Sequence, residues 1–147
     1  MTARAERVTQ LVNDVIVTNG ALLSAGDALT APSGLTAAQW LVLGFLEDGP
    51  ASAAELARRR GLRRQSVQET VNRLLRNGML TRAANPADAR APLLDVTPKA
   101  RAALRALSDR RDRWADAVAA GLAPEDLEVT LRTLASLRTL LAEAPTN

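Results

Sequence analysis

Large apolar residues recur near the start of the chain at steps of three, four and seven: Val8, Leu11, Val12, Val15, Ile16, Leu22 and Leu23. Such steps place side chains on one face of a helix, so residues 5 to 29 are predicted to form a long amphipathic helix. The segment TAPSGL at 30 to 35 breaks the stripe. Thr36 and Gln39 then stand at the spacing of a capping box, in which each side chain satisfies an orphan backbone N–H at a helix start. A second helix over 37 to 47 follows, rich in Trp40, Leu41, Leu43, Phe45 and Leu46, and Asp48-Gly49-Pro50 ends it. So many large apolar groups mark a core helix.

Ser52 and Glu55 repeat the capping-box spacing and open a short helix reaching residue 60. Gly61 stops it, because glycine readily takes the left-handed conformation of a helix C-terminus. Only Gly61, Leu62 and Arg63 separate it from the next helix, predicted over 64 to 77 and closed by Gly78. Two helices joined by so short a turn with glycine form a helix-turn-helix. Past Gly78, MLTRA and PLLDV read as strands either side of ANPADARA, whose Asn-Pro and Asp favour a loop. Thr97 as N-cap and Pro98 at the first helical position open a long helix to about residue 120. Gly121 interrupts it, Pro124 reopens it, and Leu127, Leu131, Leu134, Leu137, Leu140 and Leu141 stripe the last helix. The predicted fold is mainly α: a winged helix-turn-helix with a two-stranded β-wing over 36 to 97, flanked by long helices at 1 to 35 and 98 to 147.

With 147 residues, 47% of them apolar and 24% charged, the chain has the composition of a globular domain. Neither cysteine nor histidine occurs. That removes disulfides, thiol chemistry, imidazole acid–base catalysis and the usual zinc sites. Nor is there a P-loop, a GxSxG elbow or a GxGxxG turn, so no enzyme, cofactor or metal is expected. The start MTARAERVTQ lacks the apolar stretch of a signal peptide, and no run of about 18 apolar residues occurs, so a cytoplasmic protein with no membrane partner is expected.

Charge adds a more specific signal. Of nineteen basic residues only Lys99 is lysine, and nine arginines against two acids fall between residues 58 and 90, a local balance of +7 beside −4 elsewhere. A basic block in an otherwise slightly acidic chain is the electrostatic footprint of a nucleic-acid-binding face. At about 100° per residue, Val67, Val71, Leu74 and Leu75 share the inward side of the 64 to 77 helix. Gln65, Glu69, Asn72, Arg73 and Arg76 lie opposite, with Ser66 and Gln68 on the flanks. Such amides, hydroxyls and guanidinium groups read base edges in the major groove. Arg63, Arg64, Arg73 and Arg76 suit phosphates, which take most protein–DNA hydrogen bonds. Glu69 has two readings, an acceptor for cytosine or an i, i+4 partner that holds Arg73. Arg58, Arg59 and Arg60 cannot all face one way. At the wing tip Asp88 and Arg90 are two apart, so an extended tip would let the carboxylate hold the guanidinium for a minor groove.

The residues LTAAQWLVL, ELARRRGL into RQSVQETVNRL, GMLTR, NPADAR and VTPKA, in that order over about 65 positions, resemble the MarR family of bacterial transcription regulators. The resemblance implies a homodimer in which the helices at 1 to 35 and 98 to 147 interleave, giving their apolar stripes a partner. It implies binding to double-stranded DNA at a pseudo-palindromic operator, usually as a repressor. Gln65, Ser66, Gln68, Glu69 and Asn72 fall at base-reading positions, Arg64 and Arg73 near phosphates, and Arg90 on the wing with Asp88 positioning it. Arg63 stands where many members have a Ser or Thr cap, Ala89 where Arg or Gly is frequent, and Ala100 where Gly is frequent. Many members release DNA on binding a small aromatic or phenolic effector. Trp40 would then wall the pocket, although a tryptophan beside Leu41 and Leu43 also reads as packing, and Trp114 is open between dimer packing and ligand contact. The competing reading is a winged-helix protein-interaction module without specific DNA binding.

Overall fold

The computed structural model describes residues 1 to 144. Its elements run α1 (Ala3–Thr30), a 3-10 turn (Ala31–Ser33), α2 (Ala37–Leu46), α3 (Ala53–Arg60), α4 (Arg64–Arg76), β1 (Leu80–Ala83), β2 (Leu93–Val96), α5 (Pro98–Ala119) and α6 (Pro124–Glu143). These follow the periodicity of the sequence closely, and the fold is the mainly helical winged helix expected from it. The chain divides into two compact units, Met1–Asp109 and Arg110–Asn147, with the division inside α5. Among the described residues no single helix is long and apolar enough to cross a membrane.

In the first unit, one core joins α2, α3, α4, the sheet and the start of α5 through Leu43, Leu46, Leu56, Val67, Val71, Leu74, Leu94 and Leu107, all essentially without solvent contact. The helix α1 stands largely outside this core, since only Gly26 and Thr30 of it are buried. Its end is nevertheless firmly joined to α2. The Asp27 carboxylate accepts the Ala37 N–H at 2.7 Å, and the Thr30 hydroxyl lies within reach of the Gly26 and Leu35 carbonyls at 2.9 and 2.7 Å. The two helices meet at 81°, with a 3-10 turn between them. The capping box at Thr36 and Gln39 forms in both directions, at 3.2 and 3.0 Å. Thr36→Ala is therefore expected to lower stability by about 1 kcal/mol, seen as a lower urea midpoint with an unchanged slope.

At Ser52 only half of the second box is made. The hydroxyl accepts the Glu55 N–H at 3.1 Å, but the Glu55 carboxylate turns to Arg59 at 2.6 Å. Three arginines in the last turn of so short a helix offer a charged partner, which outcompetes a backbone N–H. Gly61 takes φ 62°, and Leu62 N–H closes onto the Ala57 carbonyl at 2.9 Å, so α3 ends sharply enough for α4 to begin three residues later. No side chain caps α4, consistent with arginine at position 63.

The sheet pairs Leu80 with Val96 through Ala83 with Leu93. Ala51 adds a single antiparallel bridge to Leu94, an isolated alanine no periodicity could reveal. Thr97 caps α5 by accepting the Ala100 N–H and donates to the Gly78 carbonyl at 2.7 Å, while Lys99 Nζ donates to the Asn77 carbonyl at 2.8 Å. The root of the wing is thus tied to the end of α4.

The second unit contains the rest of α5 and all of α6. No residue of α6 is buried, and Leu127, Leu134 and Leu137 are half-buried. Val118, Leu122, Val129, Leu131, Leu140 and Leu141 are exposed, the last two at 63% and 64%.

Candidate nucleic-acid interface

The geometry of α4 divides its residues as the helical period requires. Val67, Val71 and Leu74 are buried, while Arg63, Arg64, Gln65, Ser66, Gln68, Glu69, Asn72, Arg73 and Arg76 are exposed. The outward face is therefore continuous and polar, with the amides of Gln68 and Asn72 joined by a 2.9 Å hydrogen bond. That bond uses one N–H of Gln68 and leaves the other free to donate. Glu69 and Arg73 form no ion pair among the described residues. Of its two readings, holding Arg73 has no support in the unbound chain.

The wing tip departs from the expected extended arm. It is a pair of turns fastened by side chains: Asn85 Oδ1 accepts the Ala87 N–H at 3.0 Å, Asn85 Nδ2 donates to the Ala91 carbonyl at 2.8 Å, and Asp88 Oδ1 accepts the Arg90 backbone N–H at 2.9 Å. Asp88 makes no ion pair with the Arg90 guanidinium among the described residues. Its carboxylate instead holds the Arg90 backbone, because a residue two positions on in a turn brings its N–H, and not its side chain, to an Asp oxygen. Asp88 still sets where Arg90 stands, by a different contact.

Arg64, Gln68, Arg82 and Arg90 line a cleft between α4, the start of α3 and the wing. Arg58 and Arg64 face a neighbouring hollow with Asn85 and Asp88. Arg59 and Arg60 turn away, both guanidinium groups lying over the Phe45 ring at 5.7 and 5.5 Å from its centre. Of the three arginines ending α3, only Arg58 thus belongs with the wing side. Arg82 was not a candidate from helix periodicity, since it lies on β1. Strand alternation would set it on the face of the buried Leu80, yet it is exposed, so its signal was only that a basic residue stands on a hairpin strand.

Trp40 lies elsewhere. It is half-buried and packed against the core, and it also lines an apolar cavity of about 210 Å³ with Asn19, Leu22, Leu23, Gly26, Ala37 and Leu41. Trp40 thus packs against the core and borders this cavity at once.

Comparison with known proteins bears on the family and the fold. The model of the MarR family matches residues 33–91, which hold α2 through the wing tip. The uncharacterized protein Rv2011c of Mycobacterium tuberculosis is 34% identical over 118 residues, covering 78% of this chain and 82% of the relative. A mutant MarR from E. coli complexed with operator DNA superposes with a TM-score of 0.79 at 18% identity, over 89% of this chain and 95% of that one. The MarR of Staphylococcus aureus in complex with salicylate and kanamycin gives 0.76 at 22% identity, over 97% and 98%. On its motif order, its winged unit and these matches, the chain belongs to the MarR family and has the fold of its transcription regulators.

Proposed function

We propose that this chain is a homodimeric, sequence-specific regulator that binds double-stranded DNA at a pseudo-palindromic operator, acts as a repressor, and releases DNA on binding a small aromatic or phenolic effector. The observation that carries the reading is the exposed face of α4, whose Gln65, Ser66, Gln68, Glu69 and Asn72 stand beside a wing bearing Arg82 and Arg90. Gln65 and Asn72 can pair with adenine, while Arg63, Arg64 and Arg73 hold phosphates. Arg90, set by Asp88, reaches the flanking minor groove. A solved relative from E. coli is complexed with operator DNA, which supports the partner.

Dimerisation rests on the apolar surface outside the core. Ile16 and Val17 of α1 are 65% and 74% exposed, and α6 adds Leu131, Leu140 and Leu141. Exposed apolar sets of this extent mark interaction surfaces. The segments 1 to 35 and 98 to 147 are therefore the dimerisation elements, and 36 to 97 the DNA-binding domain. The effector reading rests on the cavity beside Trp40, supported by the salicylate bound to the S. aureus relative.

Repeated selection from a randomised duplex library tests the whole reading. A two-fold symmetric site with half-sites about one helical turn apart is expected. Weak, salt-sensitive binding with no motif would reject it and favour a protein-interaction module. On the selected site, Gln65→Ala is expected to cost about 1 to 3 kcal/mol at particular base pairs, whereas Arg90→Ala weakens all duplexes and lowers the salt slope by about 1. Equal losses across all sequences from both changes, measured by fluorescence anisotropy, would refute this division between reading and anchoring.

A further inference from the structure

One side chain on the outward face of α4 is out of keeping with the rest. The helix carries Arg64, Arg73 and Arg76 beside the amides of Gln65, Gln68 and Asn72, and Glu69 is its single acid. Glu69 is exposed and makes no hydrogen bond or ion pair among the described residues. The other acid between residues 58 and 90, Asp88, is committed to the Arg90 backbone N–H. A carboxylate without a partner is costly on a face turned to DNA, because phosphates repel it and entry into a groove strips its water. It adds nothing to backbone affinity. Its use must lie in what it accepts and what it refuses.

The amides around it both donate and accept, whereas a carboxylate only accepts. In the major groove cytosine offers a donor alone, its N4 amine. Adenine sets its N6 donor beside the N7 acceptor, while guanine and thymine present no donor. We propose that Glu69 is a specificity-determining residue, which selects cytosine at one base pair of each half-site and refuses guanine and thymine there. The inference rests on the DNA-binding reading and adds the base that this position demands. On a wrong sequence the carboxylate is left desolvated and unpaired, facing acceptors of its own sign. On the right one the same charge makes a charge-assisted hydrogen bond. Selection therefore works mainly by rejection. An arginine in its place would gain from phosphates on every sequence alike.

Glu69 is exposed, so its replacement spares the core, and a melting curve on each variant checks this. The full chain and its Glu69→Ala and Glu69→Gln variants would be titrated by fluorescence anisotropy, at fixed salt, against the selected duplex, its single base-pair replacements and an unrelated duplex. Both variants are expected to bind the unrelated duplex more tightly than the wild type does, since a charge that phosphates repel is gone. At one position per half-site the wild type should prefer cytosine over guanine or thymine by about 5- to 150-fold. Glu69→Ala should lose that preference and keep those at other positions, and Glu69→Gln, which can also donate, should admit adenine there. A duplex with pyrimidin-2-one in place of that cytosine lacks the amine; it should weaken the wild type and affect Glu69→Ala far less. Unchanged preferences in both variants overturn the assignment. Weaker binding of Glu69→Ala to every duplex alike would show Glu69 holding Arg73 for the backbone, and equally overturns it. Failure of the wild type to bind any duplex would instead refute the DNA-binding reading.

Discussion

Leu74→Ala is expected to cost about 2 to 5 kcal/mol of folding stability. Leu74 is fully buried at the centre of the α4 face and packs in the core shared by α2, α3 and the sheet. Removing three carbons forfeits their transfer free energy and leaves a cavity, and close-packed neighbours on several elements relax only partly into it. Domains of this size are stable by about 5 to 15 kcal/mol in total, so this one change removes a large share. The cost reaches function because the same helix carries Gln65 and Asn72 on its other side. Urea unfolding should show a lower midpoint at constant slope. A loss under about 1 kcal/mol would mean that α4 is not held by this core. Leu75→Ala, at a half-buried position, serves as the comparison and should lose less.

The second large effect is at the α1–α2 junction, where Gly26→Leu is expected to cost about 3 kcal/mol. A Cβ at Gly26 would stand 2.8 Å from the Ala37 Cβ, closer than two carbons tolerate, before the rest of the leucine is added. Replacing glycine inside a helix gains up to about 1 kcal/mol of helix propensity. The clash is the larger effect, because Asp27 and Thr30 hydrogen bonds hold the helix ends and prevent easy withdrawal. Gly26→Ala separates the two terms: it adds only the Cβ and should lose less than leucine. Thermal unfolding of both variants decides the matter, and a leucine variant as stable as wild type would show that the junction yields.

The helices were legible because burial imposes a period on them. Val67, Val71 and Leu74 announce both the inward side of α4 and, by subtraction, the residues opposite. Caps were legible where a side chain has one available partner, as at Thr36, and misleading where it has two, as at Glu55, which chose Arg59. The loop at the wing tip was legible in Asn85-Pro86 and Asp88, but the side-by-side placing of Asp88 and Arg90 assumed an extended tip, whereas Asn85 and Asp88 fold it by bonding to backbone groups. The Ala51 bridge and the cleft that Arg82 and Arg64 both line come from tertiary packing between separate segments, which no local pattern records. The face of α4 was therefore visible in the sequence, and the cleft beside it was not.

The tight joint at Gly26, Asp27 and Thr30 has a consequence for how the chain can change length. Everything earlier in α1 is a rigid rod clamped at one end, so its apolar stripe faces a direction counted in residues from that clamp. Inserting one residue between Leu23 and Gly26 would turn the stripe by about 100°, whereas inserting seven would return it to within about 20° of its original bearing. The chain is thus expected to accept additions to this rod by near-whole numbers of turns and to reject single residues. Homologues of different length should differ there by seven, eleven or eighteen residues and not by one or two.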